Sequence, residues 1–146
     1  MKIVITSDHG GYLLKEEIKK YLASKKIDYV DLGTHSGDAV DYPDFGKKIG
    51  LEITKNNYDF GIALCGTGIG ISISANKIKG VRAALVYDEN TARLAKEHNN
   101  ANIIAMGGRT TTREKAIQII DSFMEATFEN RHQTRINKIK EIEENT

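Results

Sequence analysis

The sequence predicts an α/β fold. We expect one doubly wound, Rossmann-like domain over residues 1–146, with a five-stranded parallel sheet, helices on both faces and an extra C-terminal helix. Three observations carry that prediction. Short apolar runs alternate with segments of helical periodicity five times along the chain. The first run, Ile3-Val4-Ile5, is continuously apolar, as in a strand covered on both faces. A single Pro and the lack of any low-complexity stretch leave no long linker to divide the chain.

Each element follows in turn. After Ile3-Val4-Ile5, the segment Tyr12 to Lys25 carries Leu14, Ile18, Tyr21 and Leu22 at helical spacing. Tyr29 to Leu32 reads as the second strand, and Gly33 to Pro43 is the longest polar loop. Asp44 to Lys55 repeats Phe45, Ile49 and Ile53 every fourth residue, a helix. Tyr58 to Leu64 is a third, buried strand ending at Cys65, followed by a helix from Ile71 to Ile78 that Lys79-Gly80 stops. Arg82 to Tyr87 reads as the fourth strand, and Asp88 caps a helix running to about His98. Ile103 to Met106 is the fifth strand, ended by Gly107-Gly108-Arg109. Thr110 to Thr112 cap a helix reaching about Phe128, and the residues after Asn130 form a last, highly charged helix.

Composition excludes several classes of function. Lys+Arg 21 against Asp+Glu 20 leaves a formal charge of +1, which offers no electrostatic footprint for nucleic acid. No apolar run approaches the roughly 18 residues of a membrane span, and the first residues turn polar too soon for a signal peptide. One Cys excludes an internal disulfide and fits a reducing, cytoplasmic setting. The four His (His9, His35, His98 and His132) show no metal-ligand spacing, so neither a metal nor another cofactor is expected.

In an open parallel sheet, ligands bind beyond the carboxyl ends of the strands. Asp8-His9, Cys65 to Gly70, Tyr87-Asp88 and Gly107 to Arg109 all fall at such ends. The Cys65-Gly66-Thr67-Gly68-Ile69-Gly70 loop is the most informative, because it sets a thiol at a strand-to-helix turn where backbone N–H groups favour negative charge. It is not a P-loop, since no Gly-Lys-Ser/Thr follows. As a dinucleotide fingerprint it fits at Gly66 and Gly68 and fails at Ile71, and it follows the third strand where such a fingerprint usually opens on the first. No Gly-x-Ser-x-Gly elbow is present. Cys65 with a His as an acyl-transfer pair stays open on chemistry alone. Asp8 and His9 read either as an anion or sugar site or as a helix cap with a solvated His. His98 reads as a general acid–base near neutral pH, or as a cation at a helix end with Asn99 or Asn100 as the left-handed cap. Arg131 and Arg135 are four apart and share a helix face suited to phosphate, and Arg109 can join them; the alternative is a solvated charged helix.

Together these pieces resemble the type B ribose-5-phosphate isomerases and the wider family that includes galactose-6-phosphate isomerase subunits. The matching segments are Ser7-Asp8-His9-Gly10-Gly11-Tyr12, Asp41-Tyr42-Pro43-Asp44, Cys65 to Ser72 and Ala75-Asn76-Lys77. They continue through Arg82-Ala83-Ala84, Glu97-His98-Asn99 with Ala101-Asn102, Gly107-Gly108-Arg109, and Arg131-His132 with Arg135. The resemblance runs from residue 2 to about residue 143, in order and at matching spacing. It implies a metal-independent aldose–ketose isomerase of the pentose phosphate pathway. Cys65 would be the base, Thr67 and His98 the ring-opening pair, and the Gly66, Gly68, Ile69 and Gly70 loop the holder of the enediolate oxygen. Asp8 and Asn99 would bind sugar hydroxyls, Tyr42 would line the pocket, and His9, Arg109, Arg131 and Arg135 would meet the phosphate. It also implies a homodimer or homotetramer whose sites lie between subunits, with His98 and Asn99 reaching across. Some relatives replace the cysteine with a Glu just after the loop; here that position is Ile71, so Cys65 is the only candidate base. Phe128-Glu129-Asn130 stands where relatives usually carry glycines and often one more residue. A hexose 6-phosphate (galactose or allose) is the rival substrate, and a non-catalytic phosphosugar-binding module the rival from another class.

Overall fold

The computed structural model describes residues 1–146. Five strands, β1 (Lys2–Ser7), β2 (Asp28–Asp31), β3 (Phe60–Cys65), β4 (Ala83–Leu85) and β5 (Ile103–Gly107), form one sheet in the order β2-β1-β3-β5-β4. Every neighbouring pair is parallel. The helices are α1 (Tyr12–Ser24), α2 (Tyr42–Ile53), α3 (Ile69–Ala75), α4 (Glu89–Glu97), α5 (Arg113–Glu125) and α6 (Gln133–Glu144). Short 3-10 turns precede α1 and α6. This is the doubly wound class the alternation predicts, with α6 as the added helix. No helix is long and apolar enough to cross a membrane.

Strand alternation splits the core into two layers. Ile3 and Ile5 of β1, Ile62 and Leu64 of β3, and Ile104 and Met106 of β5 join α1, α4 and α5 in one cluster. Val4, Ala63, Cys65, Ile103 and Ala105 point the other way, toward Phe45, Ile49 and Ile53 of α2 and Ile71 and Ala75 of α3. The second layer is built from smaller strand residues, so α2 and α3 approach closely. A Cβ on Gly46 would lie 2.0 Å from the Ser74 Oγ.

Element boundaries differ from the sequence reading in instructive places. α2 starts at Tyr42, because Pro43 is preorganised for a first helical turn and ends no loop here. α3 runs from Ile69 to Ala75 and not from Ile71 to Ile78. Gly68, at φ 81, turns the chain into it, and the Asn76 side chain ends it by clasping both backbone groups of Ala83. β4 is only three residues long, although Val86 still donates to Ala105. α5 stops at Glu125, not Phe128, and the chain beyond it runs extended until the Glu129 amide donates to the Glu97 carbonyl at the end of α4. The caps fall as the sequence indicates. Asp88 forms a capping box with Thr91, Thr112 accepts from Lys115, and Asn100 takes a left-handed φ of 45 after α4.

One charged side chain is fully enclosed by the fold. The Lys15 side chain is wholly buried and donates to both oxygens of Asp31, at 2.6 and 2.8 Å, and to the Thr34 carbonyl at 2.7 Å. Burial works to raise the Asp31 carboxyl, but hydrogen bonds from Lys15, Lys19 and the Gly33 amide outweigh it and hold Asp31 below the usual carboxylate range. This pair anchors the start of the long loop to α1. Breaking one side of such a pair strands a buried charge, so Asp31→Asn is expected to destabilise the protein by about 3–5 kcal/mol in urea titration. Lys15→Met, which leaves Asp31 its Lys19 and Gly33 partners, is expected to cost less.

Candidate active site

Three turns at the carboxyl ends of β1, β3 and β5 are locked together through their backbones. The Asp8 amide donates to the Leu64 carbonyl, Gly108 donates to Cys65, and Arg109 donates to Gly66. The turns touch so closely that side chains are excluded. A Cβ on Gly10 would stand 2.9 Å from the Gly66 nitrogen, and one on Gly108 would stand 2.3 Å from the Gly10 oxygen. The glycine loop is therefore held from both sides.

Cys65 is the last residue of β3, and strand parity aims it into the α2–α3 layer at 4% exposure. The Gly68 amide donates to its Sγ at 3.1 Å. A donor fixed on the sulfur stabilises negative charge there. The amides of Gly66, Thr67 and Gly70 have no acceptor within the protein and lie on the same turn. Ile69 spends its amide on the Thr67 hydroxyl at 3.2 Å, and its own side chain is exposed. The result is a thiol beside a set of unpaired backbone donors, the arrangement needed to move a proton next to an oxygen that gains charge.

Other predicted residues gather at the same edge. The Tyr42 ring, at the start of α2, lies over Gly70, 2.6 Å from where a Cβ would stand. The Arg109 guanidinium lies against Gly66. His9 is tied through Nδ1 to the long loop at Val40, 3.1 Å from its nitrogen and 3.2 Å from its oxygen. Asp8 caps the 3-10 turn by accepting from Gly11 at 3.1 Å, so the capping reading of Asp8 holds, with one carboxylate oxygen committed to it.

His98, Asn99, Arg131 and Arg135 lie elsewhere. α4 runs antiparallel to the strands, so its C-terminal end reaches the opposite edge of the sheet, where Asn102 donates to Arg82 and leads into β5. At roughly 3.3 Å per residue, the five residues of β5 alone put about 15 Å between this end and the Cys65 edge. Here the His98 and His132 rings pack at a tilt of 37°, with centroids 4.3 Å apart. Arg135 Nη1 lies 3.1 Å from His132 Nδ1, and Arg131 Nη2 lies 3.0 Å from Glu129 Oε1. His132 is 4% exposed, and its Nε2 has no hydrogen-bond partner. Burial, followed by the charges of Arg131, His98 and Arg135, pushes the His132 pKa below its ordinary value.

Glu129 and His132 are the residues sequence reasoning missed at this end. His98, Glu129 and His132 bring ligand-type atoms within 4.8 Å of one another, across 31 to 34 residues of sequence that no spacing rule covers. Two guanidinium groups beside them make this a place for an anion more than for a metal cation. The doublet Arg131/Arg135 was a visible signal; that a buried His stands between them was not.

The chain thus carries two separate clusters, a thiol-and-amide edge and a cationic end. A family model described as Ribose/Galactose Isomerase matches residues 3–139. The chain is 47% identical over 147 aligned residues to a probable ribose-5-phosphate isomerase B of Mycoplasma genitalium, covering 99% of this chain and 97% of that one. It is 39% identical to the ribose-5-phosphate isomerase B of Escherichia coli, covering 98% and 97%. The Clostridium thermocellum ribose-5-phosphate isomerase B structure superposes with a TM-score of 0.97 at 48% identity and 99% coverage of both chains. A Mycoplasma genitalium ribose-5-phosphate isomerase B structure with bound ribulose 5-phosphate gives 0.94 at 47% identity, covering 99% of this chain and 97% of that one. With its fold and nearly its whole length in common with these enzymes, the chain belongs to the ribose/galactose isomerase family.

Proposed function

We propose that this protein is a metal-independent ribose-5-phosphate isomerase of the cytoplasmic pentose phosphate pathway, with Cys65 as the base. The observation that carries the reading is the Cys65 thiol, bonded to the Gly68 amide and ringed by the unpaired amides of Gly66, Thr67 and Gly70. A relative 47% identical over nearly the whole chain is described with bound ribulose 5-phosphate, which supports the pentose as substrate.

In this reading Thr67 and His98 open the sugar ring. The Cys65 thiolate takes the proton from carbon 2 of the aldose and returns it to carbon 1, while the hydroxyl proton passes from O2 to O1. The enediolate oxygen between these steps is held by the loop amides, each worth roughly 3–4 kcal/mol when deleted from comparable sites. Asp8 and Asn99 take sugar hydroxyls, Tyr42 covers the pocket, and His9, Arg109, Arg131 and Arg135 meet the phosphate. One chain separates Cys65 from His98 by the height of the sheet, so the site is completed by a second copy, as a homodimer or within a homotetramer. Exposed Ile69 and Ile73 on α3, with Leu85 at the end of β4 and Tyr87 just beyond it, offer apolar surface for that association.

A hexose 6-phosphate on the same machinery is the second reading, favoured by a family description that names both ribose and galactose. An isomerisation assay in EDTA comparing ribose 5-phosphate with allose and galactose 6-phosphates separates the two. Preference for the pentose is expected; preference for a hexose changes the substrate and keeps the mechanism, and no turnover on any of the three leaves a binding module. Cys65→Ala is expected to abolish turnover while substrate affinity stays within about tenfold, because a base acts in the transition state more than in binding. Turnover retained in that variant removes Cys65 as the base. Arg135→Ala is expected to raise KM strongly, and an unchanged KM removes Arg135 from the phosphate site.

A further inference from the structure

The cationic end holds an internal anion. Glu129 Oε1 lies 3.0 Å from Arg131 Nη2, 3.7 Å from His132 Nε2 and 3.8 Å from His98 Nε2. Three groups, His98 at the end of α4 and Arg131 and His132 on the 3-10 turn before α6, thus face a single carboxylate oxygen. Only the Arg131 contact is within hydrogen-bond reach; the two imidazoles stand too far off to bond it.

His132 shows what the cluster lacks. Arg135 is always protonated, so its Nη1 donates to His132 Nδ1, which must accept. The proton of a neutral His132 ring then sits on Nε2. That nitrogen is buried and has no hydrogen-bond partner. A buried donor without an acceptor is rare in folded proteins, and this one points into the space that Glu129 reaches only partly.

We propose that the Glu129 carboxylate is a built-in competitor for the phosphate of the substrate, standing in the anion position among Arg131, His132 and His98 until a phosphate displaces it. The inference rests on reading Arg131 and Arg135 as phosphate ligands. Phosphate suits the exchange better than the carboxylate does: it carries up to two charges and three acceptor oxygens, enough to reach the Arg131 donor and the orphan His132 N–H together. Glu129 is free to yield. Its side chain is 42% exposed, and its backbone stays pinned by the bond from its amide to Glu97 when the side chain swings out. The competitor weakens capture of every anion that takes its place by the same factor, so Glu129 sets how tightly the site must bind a phosphate before it fills.

The test uses the full-length protein. Dissociation constants for inorganic phosphate are measured by calorimetry, and KM for ribose 5-phosphate by assay, in the native protein, Glu129→Gln and Arg135→Ala. Glu129→Gln is expected to tighten phosphate binding and lower KM by roughly three- to tenfold, the scale of one partly exposed charge contact, with the gain shrinking at high salt. Arg135→Ala is expected to weaken both. Phosphate binding unchanged or weakened in Glu129→Gln, while Arg135→Ala still weakens it, overturns the competitor and leaves the phosphate site standing. Phosphate binding indifferent to Arg135→Ala removes the phosphate site, and the competitor with it.

Discussion

The contact among the backbones after β1, β3 and β5 is the constraint on which the rest depends. Three turns meet with no room for a side chain at Gly10 or Gly108, and their amides and carbonyls bond one another. That packing fixes the loop after Cys65 while leaving most of the loop's own donors unused. Gly68 and Ile69 spend their amides inside the loop, while those of Gly66, Thr67 and Gly70 remain unpaired because the neighbouring turns hold the rest in place. A loop that satisfied itself would be as rigid and would have nothing to offer a ligand. Preorganised donors of this kind stabilise developing charge because they need no rearrangement when it appears.

The sheet topology divides the labour. Residues that follow strands stand at one edge, and residues that end helices stand at the other, because each helix returns the chain antiparallel to its strand. Cys65, Tyr42, His9 and Arg109 belong to the first set; His98, Asn99, Arg131 and Arg135 belong to the second. No rearrangement of side chains brings the two together within one chain. Chemistry that needs both sets, as in the reading proposed above, therefore calls for a second copy of the chain.

Much of this was legible in the sequence. Short runs rich in apolar residues marked all five strands, even where Asp31 interrupts one and Arg82 opens another, and the order of strand and helix indicated the parallel sheet. Gly66, Gly68 and Gly70 announced a backbone-lined site because they carry no side chains to cover their amides. Boundaries were less legible. The end of α3 is decided by an Asn76 side chain reaching Ala83, and the end of α5 by a bond between Glu129 and Glu97, both contacts outside the range of local pattern. The Lys15–Asp31 pair reads as surface charge in one dimension, and only the fold shows it buried. Glu129 and His132 lay hidden for the same reason: their importance comes from His98, more than 30 residues away.

Cys65 is both a member of the α2–α3 core cluster and the proposed base of the site. Its neighbours in that cluster include Phe45, Ile49, Ile71 and Ala105, ordinary packing residues that never approach a ligand. A position set by close packing moves when the packing is altered, because such interiors transmit strain. The sulfur is thus aimed by the interior of the protein and not by a loop. The evolutionary freedom of this layer is then narrower than its stability alone would demand: a substitution that the fold tolerates can still be rejected because it displaces a sulfur atom by a fraction of an ångström.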